Sequence, residues 1–192
     1  MRVNLLLAPW YEAQPTVELT EACAILGDHV WREAAIDFYA IRAARLKRGR
    51  SAPKGMQSQL NRIIESRFKD AKWLVAGGRF VKNGTWVRVT FRHQMSLGSD
   101  FLDAAKVCAK EGCVQAAILA GESEWLRLVT PNDYRALVTF EKLRIAVAEL
   151  QGVLDTPLYI GSLSGRSELP EEIVKELRKR RPRDTTSPTP ID

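Results

Sequence analysis

The chain has 192 residues, 45% of them hydrophobic, which is enough for one domain with a substantial core and too little for two comfortable ones. With 29 Lys and Arg against 23 Asp and Glu, the net charge is +6 and the pI about 9.4, a balance that suits a polyanionic partner better than a basic one. No apolar run approaches the roughly 18 residues needed to cross a bilayer, so a membrane-embedded role is excluded from the expectations.

The opening MRVNLLLAPW is a short apolar stretch followed by Glu12 and Glu18, with no small-residue cleavage site; it is expected to be a buried strand or sheet edge in a cytoplasmic protein. Residues 16–26 place Leu19, Ala22, Cys23 and Leu26 at helical spacing. A stronger helix is predicted over 28–47, with Asp28 as N-cap and Val30, Ala34, Phe38, Ile41 and Leu46 near the 3.6-residue period. It runs into Arg42, Arg45, Lys47, Arg48 and Arg50. These cations complement the helix C-terminus and are also candidate phosphate contacts. Residues 51–55, including Lys54, break the pattern as a loop, and 56–69 resume it with Leu60, Ile63, Ile64 and Phe68 on one face.

Residues 73–76 read as a strand. Gly77-Gly78 and Asn83-Gly84 supply turns on either side of a short strand around Phe80. In the strand that starts at Trp86, Val87, Val89 and Phe91 alternate with Arg88, Thr90 and Arg92, which is the period of a strand with one apolar and one polar face. A helix over 100–111, Gly112 at its end and an apolar strand over 114–119 complete a βαβ unit, so these two strands are expected to be parallel. Gly98-Ser99-Asp100 reads as a capping turn for that helix. Further on, 125–129 is assigned to a strand, 131–133 to a turn, 136–150 to a well-packed helix, and 157–160 to a strand ending at Gly161. Residues 166–183 are expected to form a basic C-terminal helix that passes from Glu171 and Glu172 to Lys175, Lys179, Arg180 and Arg181, and 184–192 has the composition expected of a flexible tail. Residues 1–165 would then be the folded domain.

The hairpin, the Trp86 strand and the βαβ unit resemble the core of the restriction-endonuclease fold, most closely the BglII- and BamHI-like branch of the PD-(D/E)xK nucleases. The order of helix, short loop and TPLYIGSL resembles the closing helix and strand of the same family, so the likeness spans residues 56–163. It implies an α/β fold with a mixed central sheet flanked by helices. In that family an acid, one residue and a second acid or Gln on the first strand, with an Asp upstream, hold a divalent metal. The matching positions here are Arg88 and Thr90, and residues 77–84 contain no carboxylate. The resemblance therefore implies a kept scaffold and a degenerate catalytic motif.

Three functions are expected to compete. The preferred one is double-stranded DNA binding without cleavage, by a pseudonuclease or a subunit of a DNA-defence or DNA-processing assembly, with no cofactor. Its candidate contacts are Arg42, Arg45, Lys47, Arg48, Arg50, Lys54, Arg88, Arg92, Lys179, Arg180 and Arg181, with His93 and Gln94 as further donors. The second is an active Mg²⁺-dependent endonuclease with relocated acids at Glu65, Asp100 and Asp103. The third is a protein-interaction subunit with no direct DNA contact; family members often dimerise, so a homodimer or a protein complex is a candidate state. The bland alternatives are salt bridges: Glu65 with Arg62 or Lys69, and Arg88 with Glu65 or Asp103. Cys23, Cys108 and Cys113 sit in apolar surroundings and read as reduced core thiols; with only His29 and His93 and no CxxC, a zinc site is not expected. Phosphate-binding, dinucleotide-binding and nucleophile-elbow signatures are absent from the sequence.

Overall fold

The computed structural model describes residues 2–8, 11–27, 30–130, 134–149 and 156–165. Strands Arg2–Leu7 (β1), Leu74–Ala76 (β2), Arg79–Lys82 (β3), Thr85–Thr90 (β4), Gln115–Gly121 (β5) and Leu158–Ser164 (β6) form one mixed sheet in the order β1-β6-β5-β4-β3-β2. The three central strands β4, β5 and β6 are parallel; β1 runs antiparallel on β6, and β2 and β3 extend β4 as an antiparallel meander. The helices are Val17–Gly27 (α1), Val30–Lys47 (α2), Gln57–Asp70 (α3), Leu97–Glu111 (α4), Ser123–Val129 (α5) and Phe140–Ala148 (α6).

Local chemistry explains the meander. Gly77 and Gly78 have φ of 56° and 78°, and Asn83 and Gly84 have 44° and 74°. Each pair links strands whose flanking residues are in register, Ala76 with Arg79 and Lys82 with Thr85, as two-residue turns with both central residues left-handed require. The twist of such turns matches that of the strands, so the hairpins form at short range.

The sheet separates two apolar layers. Phe80, Val87, Val89, Ala117, Leu119, Tyr159 and Leu163 face a cluster built from α1, α2, α3 and α5. Trp86, Ala116, Ile118, Ala120, Leu158 and Ile160 face α4 and α6. Every residue of β5 is buried, as expected of a central parallel strand covered on both faces. Trp31, Trp73, Trp86 and Trp125 all lie in the core, and the Phe68 and Phe80 rings stack with centroids 3.9 Å apart.

Four expectations are corrected. Residues 125–129 belong to helix α5, not to a strand. Trp125, Leu126, Leu128 and Val129 are buried at i, i+1, i+3 and i+4, while Glu124 and Arg127 pair outside at i,i+3, a helical division that a strand would scramble. Helix α4 starts at Leu97 rather than at Asp100, so Gly98 and Ser99 are helical and Asp100 sits buried in the first turn instead of capping it. Helix α6 begins at Phe140, because Thr139 accepts a hydrogen bond from the Lys142 N–H at 3.3 Å and acts as its N-cap; Tyr134–Ala136 forms a separate 3-10 turn. Arg62 pairs with Asp37 of α2 and leaves Glu65 without it. The Asp28 cap, the turn at 131–133, the basic helix with Lys179, Arg180 and Arg181, and the tail lie outside the described residues.

Candidate nucleic-acid interface

The even-numbered residues of β4 point toward α4. Trp86 is covered by apolar residues of that layer, but Arg88 and Thr90 meet a carboxylate. Asp100 is 1% exposed, and its Oδ1 lies 3.0 Å from Arg88 Nη2 and accepts a hydrogen bond from Arg92 Nη1 at 2.8 Å. Thr90 Oγ1 donates to Asp100 Oδ2 at 3.3 Å, and the Arg92 N–H donates to Thr90 Oγ1 at 3.4 Å. Arg88 Nη1 donates to the Gly77 carbonyl at 2.9 Å, tying β4 to the upstream turn, whereas its Nε has no partner among the described residues. Two guanidiniums on one carboxylate leave the cluster at +1. Arg92, with 47% of its side chain exposed, carries that charge to the surface.

The neighbouring strand repeats the device. Arg79 stands directly across from Arg88, which by itself would be a repulsive cross-strand pair. Asp103, one helical turn beyond Asp100, takes Arg79 at 2.7 Å. Arg88 thus pairs with Asp100 rather than with Glu65 or Asp103, because the earlier start of α4 lays Asp100 over β4 and Asp103 over β3. Glu65 lies on α3, the layer covering the opposite face of the sheet, and its expected partner Arg62 is taken by Asp37.

The three acids suggested as relocated ligands, Glu65, Asp100 and Asp103, are not arranged to hold a divalent cation. Mg²⁺ needs oxygen ligands that are free to bind it. Asp100 already holds two cations and Asp103 one, and Glu65 belongs to the other layer. Among the described residues no group of three His, Cys, Asp or Glu is placed to hold a metal ion.

The basic end of α2 is built by its own cap. Gly49 adopts φ 67°, its N–H donates to Leu46 O at 3.0 Å, and the Arg50 N–H donates to Arg45 O at 2.9 Å, the paired bonds of a Schellman motif. Arg45, Lys47, Arg48, Arg50 and Lys54 are all exposed; Arg42 is half-buried. Two further contacts bring these cations to the same end of the molecule as Arg92. Arg45 and Lys54 line one cavity with Gln57, and Gln57 Nε2 donates at 2.8 Å to the carbonyl of Phe91, the residue before Arg92. His93 is exposed beyond it and accepts the Met95 N–H on Nδ1 at 3.3 Å.

Comparison with solved structures finds restriction endonuclease BglII complexed with a DNA 16-mer, at a TM-score of 0.51 and 14% identity, over 86% of this chain and 77% of that one. The chain has the restriction-endonuclease fold. The free BglII structure is also similar, with a TM-score of 0.46 and 16% identity over 86% of this chain and 80% of that one. No family profile and no curated protein matches the sequence. The restriction-endonuclease likeness covers more than the 56–163 block visible in the sequence, so the fold takes in elements beyond that block.

Asp100, expected from the sequence as a candidate relocated ligand, is the counter-ion of Arg88 and Arg92. A signal was present: Leu97, Phe101, Ala104 and Cys108 form the buried stripe of α4, and Asp100 falls inside it. An acid in an apolar stripe needs a buried cation, and Arg88 in an otherwise buried strand is the matching anomaly. Gln57 and Asn61 were also missed; nothing in a helical face at 56–69 separates a cavity-lining amide from a solvated one.

Proposed function

We propose that this chain binds double-stranded DNA without cutting it, as a pseudonuclease or a recognition subunit of a larger DNA-processing assembly. The observation that carries the reading is the Arg88–Asp100–Arg92 cluster. On the strand where the sequence resemblance expects metal-holding acids, a buried guanidinium is paired with Asp100 and braced to the Gly77 turn, and the cluster's net positive charge emerges at the surface on Arg92. A cation there repels Mg²⁺ and attracts phosphate. Exposed Arg45, Lys47, Arg48, Arg50 and Lys54 extend the positive surface at the same end, and Gln94 beside Arg92 offers amide donors for a base edge. That BglII was solved with a DNA 16-mer supports a polynucleotide partner for a fold of this shape.

Fluorescence anisotropy with a labelled duplex tests the reading. Affinity should fall steeply as salt rises, and the double reversal Arg45→Glu with Arg48→Glu should weaken binding at least about tenfold. Plasmid incubated with Mg²⁺ or Mn²⁺ should stay supercoiled. Cleavage that disappears in Glu65→Ala would return the chain to the metal-dependent nucleases. Absence of duplex binding at low salt would leave a protein-interaction subunit as the better account.

A further inference from the structure

A cavity of about 420 Å³ opens between the basic end of α2, the turn at 53–55, the start of α3 and the residue that follows α5. Arg45 and Lys54 bring two cations to it from different elements, while Gln57, Ser58, Asn61 and Thr130 bring carboxamides and hydroxyls; no carboxylate is among the described residues that line it. Its walls are fixed by backbone. The Met56 N–H donates to Val129 O at 3.1 Å, and a Cβ on Gly55 would lie 2.8 Å from that same oxygen, so only glycine lets the turn come this close to the end of α5. Gln57 is held by its bond to Phe91 O, and Asn61 is exposed with no partner for its carboxamide among the described residues.

The volume is far larger than a lone phosphate and lies within the roughly 300–1,000 Å³ of small-molecule sites. Two cations match the charge of a phosphate monoester, which is close to −2 at neutral pH, better than the single charge of an internal backbone phosphate. Amides beside them can read the polar edge of a base. We infer that this cavity takes a nucleotide with a terminal phosphate monoester, the phosphate on Arg45 and Lys54 and the base edge on Asn61 and Gln57. A free mononucleotide and the 5′-phosphorylated end of a DNA strand share that chemistry. Neither needs a duplex tract, and because the site shares Arg45 and Lys54 with the proposed duplex surface, the first test uses a ligand that contains no duplex.

Calorimetric titration of the full chain with deoxyadenosine 5′-monophosphate should give saturable binding, weakened at least about tenfold in Lys54→Glu and about threefold in Asn61→Ala. Both residues are exposed, and unchanged circular dichroism of the variants keeps the comparison valid. The source is read from a second pair of ligands, a blunt duplex with and without 5′-phosphates. Tighter binding of the phosphorylated duplex that is lost in Lys54→Glu assigns the site to a strand end, and equal binding of the two assigns it to the free nucleotide. No saturable binding of the monophosphate, binding indifferent to Lys54→Glu, or inorganic phosphate bound as tightly as the nucleotide would each overturn the inference. A dumbbell duplex closed by loops at both ends has no terminal phosphate, so its binding tests the duplex reading separately.

Discussion

Asp100 is one carboxylate that serves two guanidiniums and a hydroxyl in a setting where it is 1% exposed. Taking charges out of water is costly, and the cost is offset only while the partners stay in place. Asp100→Asn keeps the shape, halves the acceptor capacity and leaves the Arg88 charge uncompensated. Its unfolding free energy in urea should drop by about 3 kcal/mol; unchanged stability would mean that the cluster is not the brace described above. The thiols behave oppositely, Cys108 and Cys113 as buried core atoms and Cys23 as a half-buried one. Burial pushes Cys23 up to about 11 and Cys108 up to about 12, with the neighbouring Cys113 thiol adding to the second shift. The thiolate fraction at pH 8 is then very small. Ellman's reagent at that pH should modify these two cysteines far more slowly in the native than in the denatured protein, the rate rising only as pH approaches those values. Their apolar setting was legible from sequence; the pairing of Arg88 with Asp100 was not, because it depends on where a helix starts.

Elements written in turn chemistry and short-range pattern were the most legible. Gly77-Gly78 and Asn83-Gly84 predict two tight hairpins, and both form with the left-handed backbone those residues permit. The end of α3 hides the same geometry behind an unlikely residue. Lys72 has φ 63°, its N–H donates to Lys69 O at 2.9 Å, and the Trp73 N–H donates to Phe68 O at 2.9 Å. This is another Schellman end, with a lysine in the position that favours glycine. Since Lys72 is exposed, Lys72→Gly removes backbone strain and little else, and should raise the unfolding midpoint in proportion to about 0.5–1 kcal/mol. A loss of stability would show that the lysine side chain contributes there. The misread element, α5, failed for a physical reason. Seven residues rich in buried side chains carry too little periodicity for a helix to be told from a strand, and packing of Trp125 against Trp31, with ring centroids 5.1 Å apart, decides the matter from outside the segment.

At the scale of the whole molecule, the parallel pair β4 and β5 and the closing strand β6 were readable because helices separate them in sequence. The placement of β1 on the far edge beside β6 was not, since a six-residue strand with alternating partial burial names no neighbour. The same holds for the candidate interface: α2, the 51–56 loop and the end of β4 are distant in sequence, and the shared cavity and the Gln57 to Phe91 hydrogen bond bring their cations to one end. Charge clusters are visible in the sequence, whereas their convergence is a property of the fold.

The bond from Arg88 to the Gly77 carbonyl limits which residues position 88 can accept. Placing an acid at position 88 would set two negative groups side by side, with Arg92 alone to neutralise them, and would strip the turn of its donor. Position 88 can therefore change only together with its surroundings, because strand, helix and turn all lean on one guanidinium.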